Sequence, residues 1–218
     1  MMKKVILYAL CIICFFLMIS FGLIAYAKTC STAINAKNYK AEMQMLNDFI
    51  DKEQQVKKAD KTLIVYYSYT DDTRKLANMI HEKVGGDILE IQPLELYPED
   101  YNAAYAQGRK EVEERIKPEL TNNFKDISEY GTIYLGSPIW FGTIAPPVAS
   151  FLYGQSLAGK TIIPFCTYDG LGAGQSIKEI ANLSPNAKVA EGFAIKRTEV
   201  GKAGEAGEAL DKWLNGID

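Results

Sequence analysis

Apolar positions in this chain follow two regimes. Residues 5–27 are an uncharged, almost wholly apolar run, whereas from Lys61 onward apolar residues come in short bursts separated by polar, periodic stretches. The first burst, Leu63, Ile64, Val65, Tyr66 and Tyr67, lacks the alternation of a half-exposed strand and predicts a strand covered on both faces. Leu76, Ala77 and Ile80 follow at helical spacing. Gly85-Gly86 closes that helix, and residues 87–91 predict a second strand. Residues 92–106, with two prolines and three tyrosines, predict a loop, and a charged helix follows to about Ile116 before Pro118. Further strands are predicted at 132–136, 160–166 and 188–195. Helices are predicted from Pro146-Pro147, over 175–183 and over 203–214. Strand and helix thus alternate five times, which predicts an α/β fold: a three-layer, doubly wound, five-stranded parallel sheet over residues 61–218.

The N-terminal pattern divides the rest. Lys3 and Lys4 precede the uncharged run, so residues 1–27 read as a hydrophobic targeting helix, either a signal peptide or a transmembrane anchor. The run is long enough for either, since about 20 apolar residues span a bilayer. Ala25-Tyr26-Ala27 fits signal cleavage before Lys28. Lys28, Lys37 and Lys40 nearly balance the two N-terminal lysines, so both orientations of an anchor stay open. The chain is therefore expected to be membrane-associated or exported. Residues 28–60 read as a helical linker, with Met43, Leu46, Phe49 and Ile50 at helical spacing.

Composition narrows the chemistry. A formal charge of −3 and the lack of a basic cluster argue against a nucleic-acid partner. Cys11 and Cys14 lie in the hydrophobic run, which leaves Cys30 and Cys166 as unpaired thiols, not a disulfide framework. His81 is the only histidine and falls on the first helix, so a histidine triad or histidine metal site is not expected. Asp71 and Asp72, adjacent and without further ligands, make a poor cation site. In a doubly wound sheet the ligand lies outside the carboxyl ends of the strands. The loops at that end are 68–73, 137–143 and 167–174. In the first, Ser68, Thr70 and Thr73 stand at a helix start, where hydroxyls and unpaired N–H groups converge and an anion is favoured. An ordinary N-cap by Asp71 or Asp72 explains the same residues.

Those three loops resemble the flavodoxin family. SYTDDT (68–73) resembles its phosphate loop, GSPIWFGTIAPPV its first flavin loop and CTYDGLGAG its second, and DYNAAYAQGRKEVEER is similar to its short-chain bacterial branch. The resemblance covers Lys61 to the C-terminus and implies strand order 2-1-3-4-5 and noncovalent flavin mononucleotide (FMN). It also implies electron transfer or NAD(P)H-dependent reduction, with a redox partner protein or a small acceptor such as a quinone. The residues it places at the cofactor are Ser68, Tyr69, Thr70, Asp71, Asp72 and Thr73; Pro138, Ile139, Trp140, Phe141 and Gly142; and Thr167, Tyr168, Asp169, Gly170 and Gly172. Trp140, in a loop between Pro138 and Gly142, is the expected wall for the ring. Tyr101 or Tyr105 lies over the site or packs in the core. Two departures stand out. Asp71-Asp72 occupies the place of the family's usual Gly-Asn, and Tyr168-Asp169 that of small residues. An exposed carboxylate beside a phosphate dianion opposes it by about 1 kcal/mol. The alternative is a flavodoxin-like domain without flavin, serving a binding or structural role.

Overall fold

The computed structural model describes residues 43–50, 61–121, 126–170, 172–202 and 204–217. The chain divides into two units, Met1–Glu53 and Gln54–Asp218. In the first, residues 43–50 are helical; the proposed targeting segment 1–27 and most of the linker 28–60 lie outside the described residues. Among the described residues no helix is long and apolar enough to cross a membrane.

The second unit runs β1 (Thr62–Tyr66), α1 (Asp72–Val84), β2 (Asp87–Glu90), α2 (Tyr101–Glu113), a short 3-10 turn (Ile127–Glu129), β3 (Thr132–Trp140) and β4 (Thr143–Ile144). It continues with α3 (Pro146–Gly154), β5 (Thr161–Tyr168), α4 (Ser176–Leu183), β6 (Lys188–Val189), β7 (Phe193–Lys196), α5 (Arg197–Val200) and α6 (Glu205–Leu214). The parallel sheet has the order β2-β1-β3-β5-β6, with β7 also on β5 and β4 turned back against β3. With β6 and β7 taken as one interrupted edge strand, this is the doubly wound 2-1-3-4-5 order. Successive strand residues point to opposite faces, which separates two cores. Leu63, Val65, Ile133, Leu135 and Ile162 meet Val148, Phe151 and Leu152 of α3 and Ile180 of α4 on one face. Ile64, Tyr66, Ile163 and Phe165 meet Leu76, Ala77 and Ile80 of α1 and Leu210 of α6 on the other.

Three elements differ from the sequence expectation. β3 and β5 run past 136 and 166 because their ladder continues through Ser137↔Cys166 and Pro138↔Thr167, so most of the first expected flavin loop and only the start of the second are strand. α2 begins at Tyr101, inside the stretch 92–106 expected to be loop: Asp100 caps it by accepting the Ala103 N–H at 2.8 Å. The fifth strand breaks between Val189 and Phe193. Ile162 gives its carbonyl to the Ala190 N–H at 2.8 Å, so two residues on, Pro164 turns toward the same neighbour a nitrogen that has no hydrogen to donate.

Candidate functional site

The carboxyl ends of β1, β3 and β5 and the first turns of α2 and α5 enclose an open cleft of about 320 Å³. One end is aromatic, formed by Trp140 and Phe141 from the β3–β4 hairpin and Tyr101 and Tyr105 from α2. The other is polar, formed by Thr70, Thr167, Asp169 and Arg197. A smaller cleft of about 120 Å³, lined by Glu111, Ile144, Ala149 and Leu183 among others, holds none of the expected site residues.

The aromatic end is rigidly supported. Trp140 makes edge-to-face contacts with Tyr67 at 5.9 Å, Tyr69 at 5.8 Å and Tyr97 at 4.7 Å. Helix α2 approaches it through Gly108, where a Cβ would come within 2.9 Å of the indole ring. Trp140 thus both lines the cleft and packs on the core. Tyr97 donates to the buried Glu111 carboxylate, to which Gln107 also donates at 2.9 Å. Burial, and then Glu111, hold the Tyr97 phenol above its usual range. Tyr101 and Tyr105 are not core residues: they are exposed on one face of α2, and Tyr105 meets Phe141 at 4.9 Å. Phe141 and Gly142 both have positive φ, 51° and 79°, as a two-residue β3–β4 hairpin turn requires. The Gly142 carbonyl accepts from the Gln175 N–H at 2.7 Å. Gly174 makes that contact possible, because a Cβ there would collide with Gly142.

At the polar end, α1 starts without a side-chain cap. Asp71, expected to be a possible N-cap, has φ 72° and turns its carboxylate onto Arg74. Arg74 also reaches Glu90 at 2.5 Å. Ser68 Oγ accepts the Arg74 N–H at 3.2 Å. The helical pattern leaves the N–H groups of Asp72 and Thr73 without intrahelical partners. Thr70 Oγ1 donates to Asp72 at 3.0 Å, and Asp72 faces Arg197 at 3.6 Å. Thr73 is buried and shares a 2.8 Å hydrogen bond with Thr167, tying the turn to β5. Both aspartates that stand where Gly-Asn was expected therefore have arginine counterions. Each contact offsets part of the charge that opposes an incoming anion.

Of the expected residues, Tyr69, Thr70, Pro138, Ile139, Trp140, Phe141, Thr167, Tyr168 and Asp169 line the cleft. Thr73 and Asp72 bond lining residues without lining the cleft themselves, and Ser68, Asp71, Gly142, Gly170 and Gly172 are not among its lining. Sequence reading did not include Arg197 or Ala104 in the site. Arg197 belongs to no motif, and its only signal is its place directly after the last strand. His81 lies near the far end of α1, with Nε2 3.0 Å from the Gly86 carbonyl. Among the described residues no cluster of three metal-ligating side chains occurs.

Cys166 is buried in β5, and desolvation pushes its thiol up to about 12 from its ordinary 9.0. A thiol so raised is a poor nucleophile. Because the folded state holds its proton more tightly, its contribution to stability is intact below pH 9 and is lost as pH rises toward about 12. The buried Tyr67 and Tyr97 phenols, also raised, add loss in the same direction. Urea unfolding is expected to show constant stability near neutrality and a fall of about 1 kcal/mol from the thiol by about pH 10. Cys166→Ala should flatten that slope; an unchanged slope would refute the assignment.

A family model described as flavodoxin matches residues 61–217. Among solved structures, proteins assigned as flavoproteins from Bacteroides uniformis and Bacteroides eggerthii are 28% and 26% identical, with TM-scores of 0.63 and 0.60. The first alignment covers 71% of this chain and 97% of that one, and the second covers 72% and 97%. A flavoprotein in complex with FMN from Lactobacillus acidophilus is 24% identical, covers 65% of this chain and 97% of its own, and has a TM-score of 0.55, a likeness of fold. No curated protein sequence matches the chain.

Proposed function

The chain belongs to the flavodoxin family, and from that premise we propose that its cleft binds FMN noncovalently and that the protein transfers electrons. The observation that carries this reading is the division of the cleft. A flat aromatic end and a polar end beside a helix N-terminus whose N-cap residue makes no side-chain bond to it match a ligand with a planar ring and a phosphate tail. Bound FMN would supply reversible electron uptake at its ring. The chain's own residues bind and shield. Trp140, supported by Tyr67, Tyr69 and Tyr97, is the wall of the ring site, and Tyr101, Tyr105 and Phe141 keep water from its open side. The first N–H groups of α1 donate to the phosphate, with Thr70 held on Asp72 and with Thr73 and Thr167 fixing the turn in place.

The exposed Tyr101, Tyr105 and Phe141 at the cleft mouth favour a flat acceptor such as a quinone, reduced at the expense of NAD(P)H or of a redox partner protein. The uncharged run within residues 1–27 supports placement of this domain at or beyond a membrane. The rival reading, a flavodoxin-like domain without flavin, rested on Asp71, Asp72 and Asp169. It loses weight because all three are paired with Arg74 or Arg197.

Titration of the purified full chain with FMN, followed by quenching of flavin fluorescence, is expected to give micromolar or tighter binding. If the wild type does not bind while Asp71→Gly/Asp72→Asn does, the flavin reading is withdrawn. Fractionating the same preparation and weighing the chain intact reads the fate of residues 1–27. A full-length chain in the soluble fraction would refute the targeting reading.

A further inference from the structure

We propose that Arg197 recognises the phosphate charge in this cleft and thereby selects FMN over riboflavin, a role that rests on the flavin reading above. Arg197 is the first residue of α5, directly after β7, and it lines the polar end of the cleft with Thr70 and Asp169. Its guanidinium stands between carboxylates from two separate strand ends. Nε contacts Asp169, which follows β5, and Nη1 lies 3.6 Å from Asp72, which opens α1. The same Asp72 oxygen accepts the Thr70 hydroxyl at 3.0 Å. Phosphate turn, β5 end and β7 end therefore meet at one cation.

Three features assign this cation to the ligand and not to packing alone. Arg197 lines the cleft and is exposed, with 43% of its side chain accessible. A guanidinium carries five N–H donors in a fork that matches phosphate oxygens, so one that contacts two carboxylates through Nε and Nη1 still has donors for a third anion. The neighbouring Arg74 is committed to Asp71 and Glu90. Arg197 offsets one of the two negative charges that Asp72 and Asp169 would otherwise turn on the phosphate. The sequence departure at Asp72 and the arginine after the last strand thus form one device, in which carboxylates orient a cation and the cation admits the phosphate.

Riboflavin has the same ring and no phosphate, so comparing the two ligands isolates this role. The test measures dissociation constants of both for the full wild-type chain, Arg197→Gln and Arg197→Lys, at low and high salt. Arg197→Gln is expected to weaken FMN binding about tenfold or more and to change riboflavin binding by less than about twofold. Arg197→Lys should recover part of the difference, because it restores the charge but not the fork. Wild-type FMN affinity should fall more steeply with salt than that of Arg197→Gln. Equal weakening of both flavins would reduce Arg197 to a structural tie, and no change in either would remove it from the site. If the wild type binds neither flavin, the functional reading itself fails.

Discussion

Gly136→Ala is expected to destabilise the domain by about 3 kcal/mol or more, the upper range for overpacking a dense core. Gly136 sits mid-sheet on β3, opposite Tyr66 of β1 and Phe165 of β5. A Cβ there would lie 2.6 Å from the Tyr66 Cβ and would run into the Phe165 ring. Phe165 is 1% exposed and packed in the core that holds α1 to the sheet, so it has little room to withdraw. The missing side chain at Gly136 is the space that Phe165 fills. Urea unfolding measures the loss. A midpoint within experimental error of the wild type would show that the ring can move and that the sheet is more plastic here than its packing implies.

Trp140→Ala is expected to affect both stability and ligand binding. Removing the indole abolishes edge-to-face contacts with three tyrosines and should cost about 3 kcal/mol, as for other truncations of large aromatics. It also removes the flat wall, and flavin affinity should fall by about tenfold to a hundredfold, the range found for stacking of planar heterocycles on aromatic side chains. Trp140→Phe keeps a ring in the same place and should retain most of the binding. If Trp140→Ala folds and binds FMN as tightly as the wild type, the indole is a core residue that only borders the cleft.

The alternation of apolar strands with amphipathic helices was legible because each burst, such as 63–67, is buried on both faces and each helix carries one apolar stripe. The three loops at the carboxyl ends were legible for the same reason, since topology places them together whatever they contain. Strand ends were not. Ser137, Pro138 and Thr167 look like loop residues, yet they continue the ladder because β3 and β5 align there, and Tyr168 continues it against β7. The start of α2 was misplaced because tyrosines and asparagine around 101–105 masked a good cap at Asp100. The consequences of Asp71 and Asp72 were likewise hidden. Sequence shows their charge, but their partners Arg74 and Arg197 lie on a helix turn and beyond the last strand.

By itself, the sequence determined the doubly wound sheet, its order through family resemblance, the three loops that form the cleft, and the aromatic and hydroxyl residues that furnish it. These follow from local periodicity and from rules of connection, which act along the chain. Only the tertiary structure decided which residues share the cleft. It brought Tyr101 and Tyr105 to the cleft mouth, set Gly108 beneath Trp140, and placed Arg197 between Asp72 and Asp169. Those placements depend on contacts between residues far apart in sequence, and a charge or a ring acquires its role only from what folding sets against it.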